Sequence, residues 1–239
     1  RRFVHAQPMN AISFSLWGNN RMYVDGMFEN LKLAPQIYPG WRVHIYTDGS
    51  TSASTLTQMH QMGAQITTVH HERPPWYNLF LRFLINDDLR EGHYIIRDSD
   101  SRLSMRERLA VDQWIESGKA FHCMRDHPWH YGVKFLGGLW GCRAGYLPNM
   151  HSMVSQYLRE RNLNDGQIVK GIDQHFLGEC VWPYVVNNRV EHDSLNLAGH
   201  NDNTISFPRL REDYHFVGEV FNADNTRQDH YKQLYGLSK

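Results

Sequence analysis

Short runs of apolar, β-forming residues alternate with helix-type patterns through the first 145 residues of this 239-residue chain. Such alternation predicts an α/β fold with a mostly parallel, doubly wound sheet that is flanked by helices. The predicted strands are Ala11–Leu16, Arg42–Tyr46, Gln65–Val69, His93–Arg97, Ala120–Met124 and Leu139–Arg143. The predicted helices are Tyr23–Leu33, Ser54–Met62, Asn78–Leu84 and Met105–Ser117.

The helix at Met105–Ser117 has the clearest boundaries. Ser104 can cap its first turn, Glu107 stands at the capping-box spacing, and Gly118 follows its last residue. Beyond Tyr146 the pattern loosens into two helices and a long polar tail with several histidines. No linker or repeat interrupts the chain, so we expect one domain over residues 1–239 whose C-terminal tail folds over the sheet edge.

The composition excludes several classes of protein. Lys plus Arg and Asp plus Glu number 25 each, and the pI is about 7.4, so neither nucleic acid nor an anionic membrane surface is an expected partner. No apolar run has the length of a membrane span. Aromatic residues form 13% of the chain, with seven Trp, which suits either a rich core or rings on which sugars stack.

The cysteines favour a reducing compartment. Cys123, Cys142 and Cys180 are odd in number and lack paired spacing, so we expect reduced thiols in a cytoplasmic protein rather than a disulfide framework or a zinc knuckle. No signal peptide is visible. The chain begins at Arg1 rather than at methionine, which leaves open that the native protein carries further domains.

Two carboxylates, Asp98 and Asp100, follow directly after the apolar run His93–Ile96. Ligands bind at the carboxyl ends of strands in open α/β sheets. Two acids at this spacing can both coordinate one metal ion, or one can coordinate the metal while the other hydrogen-bonds to a hydroxyl. Their oxygen ligands suit Mg²⁺ or Mn²⁺. The same sequence is also typical of an Asp/Ser turn after a strand.

Further polar residues are expected at this edge of the sheet. Asp48 ends the second strand and is suited to contact a base or ribose, or to form a turn. Arg82 lies inside an apolar helical stretch, so its guanidinium must meet a carboxylate, a phosphate or a sugar hydroxyl. Arg125, Asp126 and His127 follow another strand and form either a loop of projecting groups or ordinary surface.

The second half of the chain offers three more candidate segments. Gly137 and Gly138 stand where the backbone must approach something closely, yet they form neither a dinucleotide-binding nor a P-loop motif. Without a glycine cradle for phosphates, a metal held by acids is the natural substitute. Asp173 and Gln174 lie in a helical stretch and can face a pocket, while His215 offers an imidazole late in the chain.

These motifs, in this order, resemble the GT-A glycosyltransferases, which transfer a sugar from a nucleotide donor. The resemblance covers nearly the whole chain and is strongest to a compact group from bacteria and large algal viruses that includes a viral rhamnosyltransferase domain. The segments that carry it are Ile12–Gly18, Ile37–Trp41, Arg82–Leu84, Arg97–Arg102, Met124–Pro128 and Leu136–Gly141.

A looser resemblance is to glycosyltransferase family 8. The Asp-x-Asp motif of that family falls on Asp98 and Asp100, and its late His-x-x-Gly begins at His215, which would complete the metal site. Its Asp-Gln-Asp triplet falls on residues 173–175, where His175 replaces the third acid. Its donor-sugar arginine falls on Arg82, and the lysine expected after the His-x-x-Gly is missing.

Together these resemblances imply a metal-dependent transferase that moves a sugar from a nucleotide-diphosphate donor to a saccharide acceptor in the cytosol of a bacterium or of a virus-infected host. The donor that they favour is a UDP-sugar. Residues 1–145 would bind the donor and the metal, and residues 146–239 would face the acceptor and close the site. The implied metal ligands for Mn²⁺ or Mg²⁺ are Asp98, Asp100 and His215, and the residues near the reacting carbon are Asp173 and Gln174. The implied substrate-binding residues are Ser13, Ser15, Leu16, Trp17, Gly18, Asp48, Arg82, Asp98, Arg125, Asp126, His127, Gly137 and Gly138.

Two other functions compete with this interpretation. A nucleotidyltransferase acting on sugar phosphates uses a related sheet and metal, but it needs a glycine-rich basic loop after the first strand, and residues 17–21 are a poor version of one. The other alternative is a catalytically silent carbohydrate-binding domain of the same fold, against which the intact pair Asp98 and Asp100 argues.

Overall fold

A central sheet organises the computed structural model, which describes residues 9–161, 171–197 and 203–237. In this part of the chain the sheet has eight strands in the order β3-β2-β1-β4-β6-β5-β7-β8. The strands are β1 (Ala11–Ser15), β2 (Arg42–Thr47), β3 (Gln65–Thr68), β4 (His93–Ile96), β5 (Phe121–Arg125), β6 (Trp140–Arg143), β7 (Arg189–Asp193) and β8 (Thr204–Ile205). All neighbours are parallel except β6, which runs antiparallel to β4 and β5. The expected α/β class is therefore confirmed.

Helices pack on both faces of this sheet. They are α1 (Arg21–Ile37), α2 (Ala53–Gln61), α3 (Asn78–Leu81), α4 (Ile85–Asp88), α5 (Met105–Ser117), α6 (Met150–Glu160), α7 (Ile172–Phe176) and α8 (Trp182–Val185). Turns of 3₁₀-helix lie at Pro75–Tyr77, Arg82–Leu84, Pro128–His130 and Asp229–Leu234, and a π-helical turn lies at Leu177–Val181. None of the helices in the described ranges is both long and apolar enough to cross a membrane.

The sheet separates two hydrophobic cores. Tyr94 and Ile96 of β4 pack in one core, whereas Ile95 between them packs in the other, because successive side chains of a strand point to opposite faces. Helix α5 covers the second core with Val111 and Trp114, both fully buried. Full burial on both faces explains why β4 is a continuous apolar run rather than an alternating one.

The sequence located α5 correctly and missed β7. Ser104 Oγ accepts a hydrogen bond from Glu107 N, and Gly118 ends the helix with φ 71°. The Glu107 side chain, however, does not return to the helix terminus. It pairs with the buried Arg97 at 3.1 Å, so the expected capping box is only half formed.

β7 escaped prediction because its sequence is mostly polar although all five of its residues are buried. Glu191 accepts hydrogen bonds from Arg189 on the same strand (2.9 Å) and from Arg125 on β5 (2.6 Å). These ion pairs replace the apolar contacts that a buried strand usually makes, and they satisfy charges whose burial would otherwise be costly. The C-terminal part therefore contains strands where we had expected only helices and a tail.

The tail returns across the carboxyl ends of the strands, as expected. Phe221 N donates to the carbonyl oxygen of Asp100 at 2.9 Å, and Val217 N donates to Asp126 Oδ2 at 2.9 Å. The segments that follow β4 and β5 are thus both covered by residues from the C-terminal part of the chain.

Two buried histidines predict that the folded protein loses stability at low pH. His122 Nε2 donates to His192 Nδ1 (2.8 Å), because His192 Nε2 must donate to Gln113 Oε1 (3.0 Å). Burial lowers the pKa of His192 to about 4 and that of His122 well below its usual range. Each ring therefore favours folding while neutral, and that stability is lost as the pH falls from about 6.5 through 4.

We expect urea unfolding to give a markedly lower free energy of unfolding at pH 4.5 than at pH 7. His192→Gln should lower stability at pH 7 and flatten the decline on acidification. The same substitution at His151, which is exposed on α6, serves as the control and should leave the profile unchanged. A profile for His192→Gln as steep as that of the wild type would contradict this role.

Candidate active site

A cleft of about 720 Å³ opens at the carboxyl ends of β1, β4 and β5. The predicted site residues that line it are Ser15, Trp17, Arg82, Asp98, Asp100, His127, Gly137, Gly138, Asp173 and Gln174. They come from segments far apart in sequence, which converge because parallel strands end at the same edge of a sheet.

Arg82 lies at the centre of this group. Its side chain is 6% exposed; Nη1 donates to Asp98 Oδ1, and Nη2 donates to Asp173 Oδ2 at 2.9 Å. Nε is buried and has no acceptor among the described residues. Of the partners expected for this arginine, a carboxylate, a phosphate or a sugar hydroxyl, the structure shows carboxylates. Arg82 thus joins α7 to the acid loop, the segment after β4 that carries Asp98 and Asp100.

Two serines of β1 fix the backbone of Arg82. Ser13 Oγ donates to Arg82 O (2.7 Å), and Ser15 Oγ accepts from Arg82 N (2.8 Å). Ser13 is fully buried, so its hydroxyl holds the helical turn in place instead of facing a ligand as expected. Ser15 does the same from the wall of the cleft.

The glycine pair allows the acids and the arginine to pack against the backbone. A Cβ at Gly138 would overlap the carboxylate of Asp98, and a Cβ at Gly137 would overlap Asp173 and crowd Arg82. Both glycines are buried. The close approach expected from the sequence is therefore found, and its partners are side chains of the site itself.

Helix α1 supports the acid loop in a way that the sequence did not reveal. Asn30 is buried; its Nδ2 donates to Ser101 O (2.8 Å), and its Oδ1 accepts from Leu103 N (3.0 Å). One turn earlier, a Cβ at Gly26 would overlap the carbonyl oxygen of Ser99. A glycine in the interior of a helix was the available signal, since it is unfavourable unless close packing requires it.

The charges of the cleft suit a divalent cation. Among the described residues that line it, the ionisable carboxylates are Asp98, Asp100 and Asp173, and Arg82, already paired twice, is the basic side chain apart from histidines. Burial and the neighbouring Asp98 raise the pKa of Asp100 to about 7. Burial also raises the pKa of Asp173, although Arg82 opposes that effect. Two hard oxygen donors that repel each other fit Mn²⁺ or Mg²⁺.

His215 does not join the two acids, which corrects the expected three-residue metal site. Its Nδ1 pairs with Glu219 Oε2 at 2.6 Å, and it lines a separate cavity. Gly218 and Val220 line the cleft, His215 and Glu219 line that second cavity, and Phe216 lines both. In the described ranges, no three His, Cys, Asp or Glu side chains are arranged so that they could hold one metal ion together.

Arg125 and Asp126 also lie outside the lining of the cleft, contrary to the expected contact with the sugar. Asp126 is fully buried and accepts hydrogen bonds at 2.8 Å from Arg106 and Arg211. Arg125 pairs with Glu191. All these groups already have partners inside the protein, so they support the loop that carries His127 rather than contact a ligand.

Three residues near the first two strands also lie outside the described lining. Leu16 is buried, and Gly18 N donates to Ser50 Oγ at 2.7 Å. Asp48 accepts from Ser50 N (2.9 Å) and from Asn78 Nδ2 (2.7 Å), which matches the turn that the sequence left open as its alternative role.

Several aromatic residues of the cleft were missed by the sequence analysis. Tyr23 stacks on Trp17 with ring centroids 6.4 Å apart, and Trp129 is 57% exposed. His130, Phe216 and His230 complete this set of cleft-lining rings. The available signal was only the high aromatic content, because the topology of the sheet, not local sequence, brings these rings to one place.

Comparison with known proteins gives matches of structure only. No family model and no curated protein sequence matches the chain. The galactosyltransferase LgtC, solved with donor and acceptor sugar analogues, matches with a TM-score of 0.51 and 12% identity over 95% of each chain. A glycosyltransferase involved in glycosylation of the major capsid of PBCV-1 matches at 0.48 with 15% identity, over 80% of this chain and 84% of that one. Mannosyltransferase PcManGT from Pyrobaculum calidifontis, solved with GDP-Man and Mn²⁺, matches at 0.48 with 13% identity, over 87% of this chain and 59% of that one.

The match to LgtC, which extends over nearly the whole of both chains, establishes the fold. The described residues form a GT-A-type α/β structure, and the expectation of that fold is confirmed.

Gly138→Ala should displace the Asp98 carboxylate, because the added methyl group would occupy its position. We expect a loss of about 1–3 kcal/mol in the free energy of unfolding, as for other overpacking substitutions, together with weaker Mn²⁺ binding. Gly132→Ala is the matched control, since a Cβ there has no neighbour within 4 Å. Urea unfolding and calorimetric titration with Mn²⁺ measure the two effects. Equal stability of the two variants would contradict the packing described for Gly138.

Asp100→Asn should have opposite effects without and with a cation. Because the pKa of Asp100 is raised to about 7, the cation-free wild type loses stability as the pH rises from about 4 through 7. At pH 8 in EDTA the variant should therefore melt a few degrees higher than the wild type. Mn²⁺ should raise the Tm of the wild type but not that of the variant.

Differential scanning fluorimetry measures both effects, and His215→Ala serves as the control that should retain the Mn²⁺ response. An unchanged Mn²⁺ response in Asp100→Asn would remove Asp100 from the cation site. Loss of the response in His215→Ala would restore the histidine as a ligand.

Proposed function

We propose that this protein is a metal-dependent glycosyltransferase that uses a nucleotide-diphosphate sugar, with a UDP-sugar as the favoured donor, and a saccharide acceptor. The observation that carries the proposal is the pairing of Arg82 with Asp98 and Asp173, in a cleft that Asp100 also lines, at the carboxyl ends of a GT-A-type sheet. The fold match to the galactosyltransferase LgtC, which was solved with donor and acceptor sugar analogues, points in the same direction.

Asp98 and Asp100 would hold the cation, which would act as a Lewis acid on the diphosphate of the donor. The need for it follows from the charges: a diphosphate is anionic, the cleft has an excess of carboxylates, and Arg82 is already paired. Trp17 and Tyr23 present aromatic faces beside the acids, at the end of β1, where a base and ribose would bind.

Arg82 and Asp173 would act on the transferred sugar. Their hydrogen bond fixes both groups before any ligand binds, and such preorganisation lowers the barrier to a reaction that develops charge. Departure of the nucleotide diphosphate leaves positive charge on the sugar ring, which the Asp173 carboxylate and the Gln174 amide oxygen would stabilise. Alternatively, these two side chains would position the acceptor hydroxyl; both roles place them at the reacting carbon.

One assay separates this function from its alternatives. Incubation with a panel of UDP-, GDP- and dTDP-sugars and Mn²⁺ should release a nucleoside diphosphate from at least one donor. A nucleotidyltransferase would release pyrophosphate when given a sugar phosphate and a nucleoside triphosphate, and a silent binding domain would release neither product. Absence of nucleoside diphosphate across the panel, with and without added saccharides, would contradict the proposal.

Asp173→Asn should reduce kcat by roughly a hundredfold while leaving UDP affinity within a few-fold of the wild type. Asparagine keeps an oxygen that can accept from Arg82 but loses the charge that stabilises the sugar ring. Calorimetry with UDP and Mn²⁺ measures binding, and nucleoside diphosphate release measures turnover. Asp48→Asn is the control, because Asp48 bonds to Ser50 and Asn78 outside the cleft. An unchanged kcat in Asp173→Asn would exclude this role for Asp173.

A further inference from the structure

The end of the cleft beyond the acids carries an exposed tryptophan. Trp129 is 57% exposed, and its ring centroid lies 4.3 Å from that of His230, with the ring planes at 60°. Both side chains line the cleft. We propose that Trp129 and His230 form the subsite for the acceptor, a neutral saccharide whose apolar ring face stacks on the indole. This proposal rests on the transferase function proposed above.

One buried imidazole holds Trp129 and His230, which together form the platform of the proposed subsite. His127 is 1% exposed; its Nδ1 accepts from Trp129 N (3.2 Å), and its Nε2 donates to His230 O (3.0 Å). Its ring also stacks on Phe216 at 4.4 Å. The loop after β5 and the C-terminal tail are therefore fixed to one another before a ligand binds, which is the preorganisation that a binding subsite needs.

A hydrogen-bond donor accompanies the aromatic surface. His130 Nδ1 accepts from Asp126 N at 3.0 Å, so the neutral ring carries its proton on Nε2. No acceptor for Nε2 occurs among the described residues, and His130 lines the cleft. A donor beside an apolar ring is the combination that recognises a sugar, whose hydroxyls surround an apolar face.

The strand order places this platform on the acceptor side. Trp17 follows β1, Asp98 and Asp100 follow β4, and Trp129 follows β5, with β6 between β4 and β5. Three strand spacings, about 14 Å, thus separate the strands that lead to the two tryptophans, with the acids between them. With the nucleoside at Trp17 and the diphosphate at the acids, Trp129 remains for the molecule that attacks from the far side of the transferred sugar.

The charge at this end favours a neutral ligand. The formal charges among the described residues that line the cleft lie near its centre, on Arg82 and on the carboxylates of Asp98, Asp100 and Asp173. Around Trp129 the lining consists of His127, His130, Phe216 and His230. An acidic or strongly cationic acceptor would find no opposite charge here.

Binding can be tested without turnover by following the indole N–H signals of ¹⁵N-labelled protein, with Trp129→Phe and Trp17→Phe used to assign two of them. Mg²⁺ replaces Mn²⁺, which would broaden the spectra. We expect UDP with Mg²⁺ to shift the Trp17 signal, and at least one disaccharide from a panel of lactose, cellobiose, maltose and mannobiose to shift the Trp129 signal. A larger effect of UDP on Trp129 than on Trp17, or no response of Trp129 to any sugar of the panel, would overturn the proposal.

Kinetics supply the second readout. With an active donor, Trp129→Ala should raise the acceptor KM at least about tenfold, with a smaller change in kcat, and Trp129→Phe should restore part of the affinity. Tyr184→Ala, which removes another exposed aromatic ring outside the cleft lining, is the matched control and should leave the acceptor KM unchanged. An unchanged KM in Trp129→Ala would contradict the subsite. A sugar that shifts the Trp129 signal but is never glycosylated would support the subsite and contradict the proposed transferase activity.

Discussion

The buried guanidinium of Arg82 is the group on which the arrangement of the site depends. A charge removed from water must be paired, and Arg82 meets this requirement with carboxylates from two distant parts of the chain, Asp98 after β4 and Asp173 in α7. The serines of β1 position its backbone. Neither carboxylate could approach so closely without the two adjacent glycines before β6. One ion-paired cluster therefore determines how five segments meet.

Other ion pairs nearby hold the scaffold and do not face the cleft. Asp126, which pairs with Arg106 and Arg211, directly precedes His127, which does line the cleft. From the sequence both residues look equally suited to bind a ligand, because both follow a strand at the correct edge. Consecutive side chains on an extended segment point in opposite directions, so one of them becomes part of the interior and the other becomes part of the site.

The elements that the sequence located well are those whose signal is local. α5 has a cap, a periodic face and a terminal glycine, and β4 is a buried apolar run. Each could therefore be predicted from its own sequence, without knowledge of the elements that pack against it. β7 could not, because its burial depends on Arg125 from another strand. For the site, the acid pair, Arg82 and the glycine pair were found for the same reason. The sequence did not reveal Asn30, which supports the acid loop, or the additional aromatic rings that line the cleft, because only the tertiary fold brings them to the site.

The late histidine shows how a correct spacing can lead to a wrong contact. The segment from His215 to Phe221 runs between two cavities, and Phe216 lines both of them. His215, directly before it, lines only the cavity that lacks the acids. The same segment nevertheless reaches the acid loop through its backbone, where Phe221 N donates to Asp100 O. A backbone hydrogen bond of this kind fixes the position of Asp100 without depending on side-chain identity. The tail can therefore help to define the geometry of the proposed cation site, although both of the proposed carboxylate ligands come from the loop after β4.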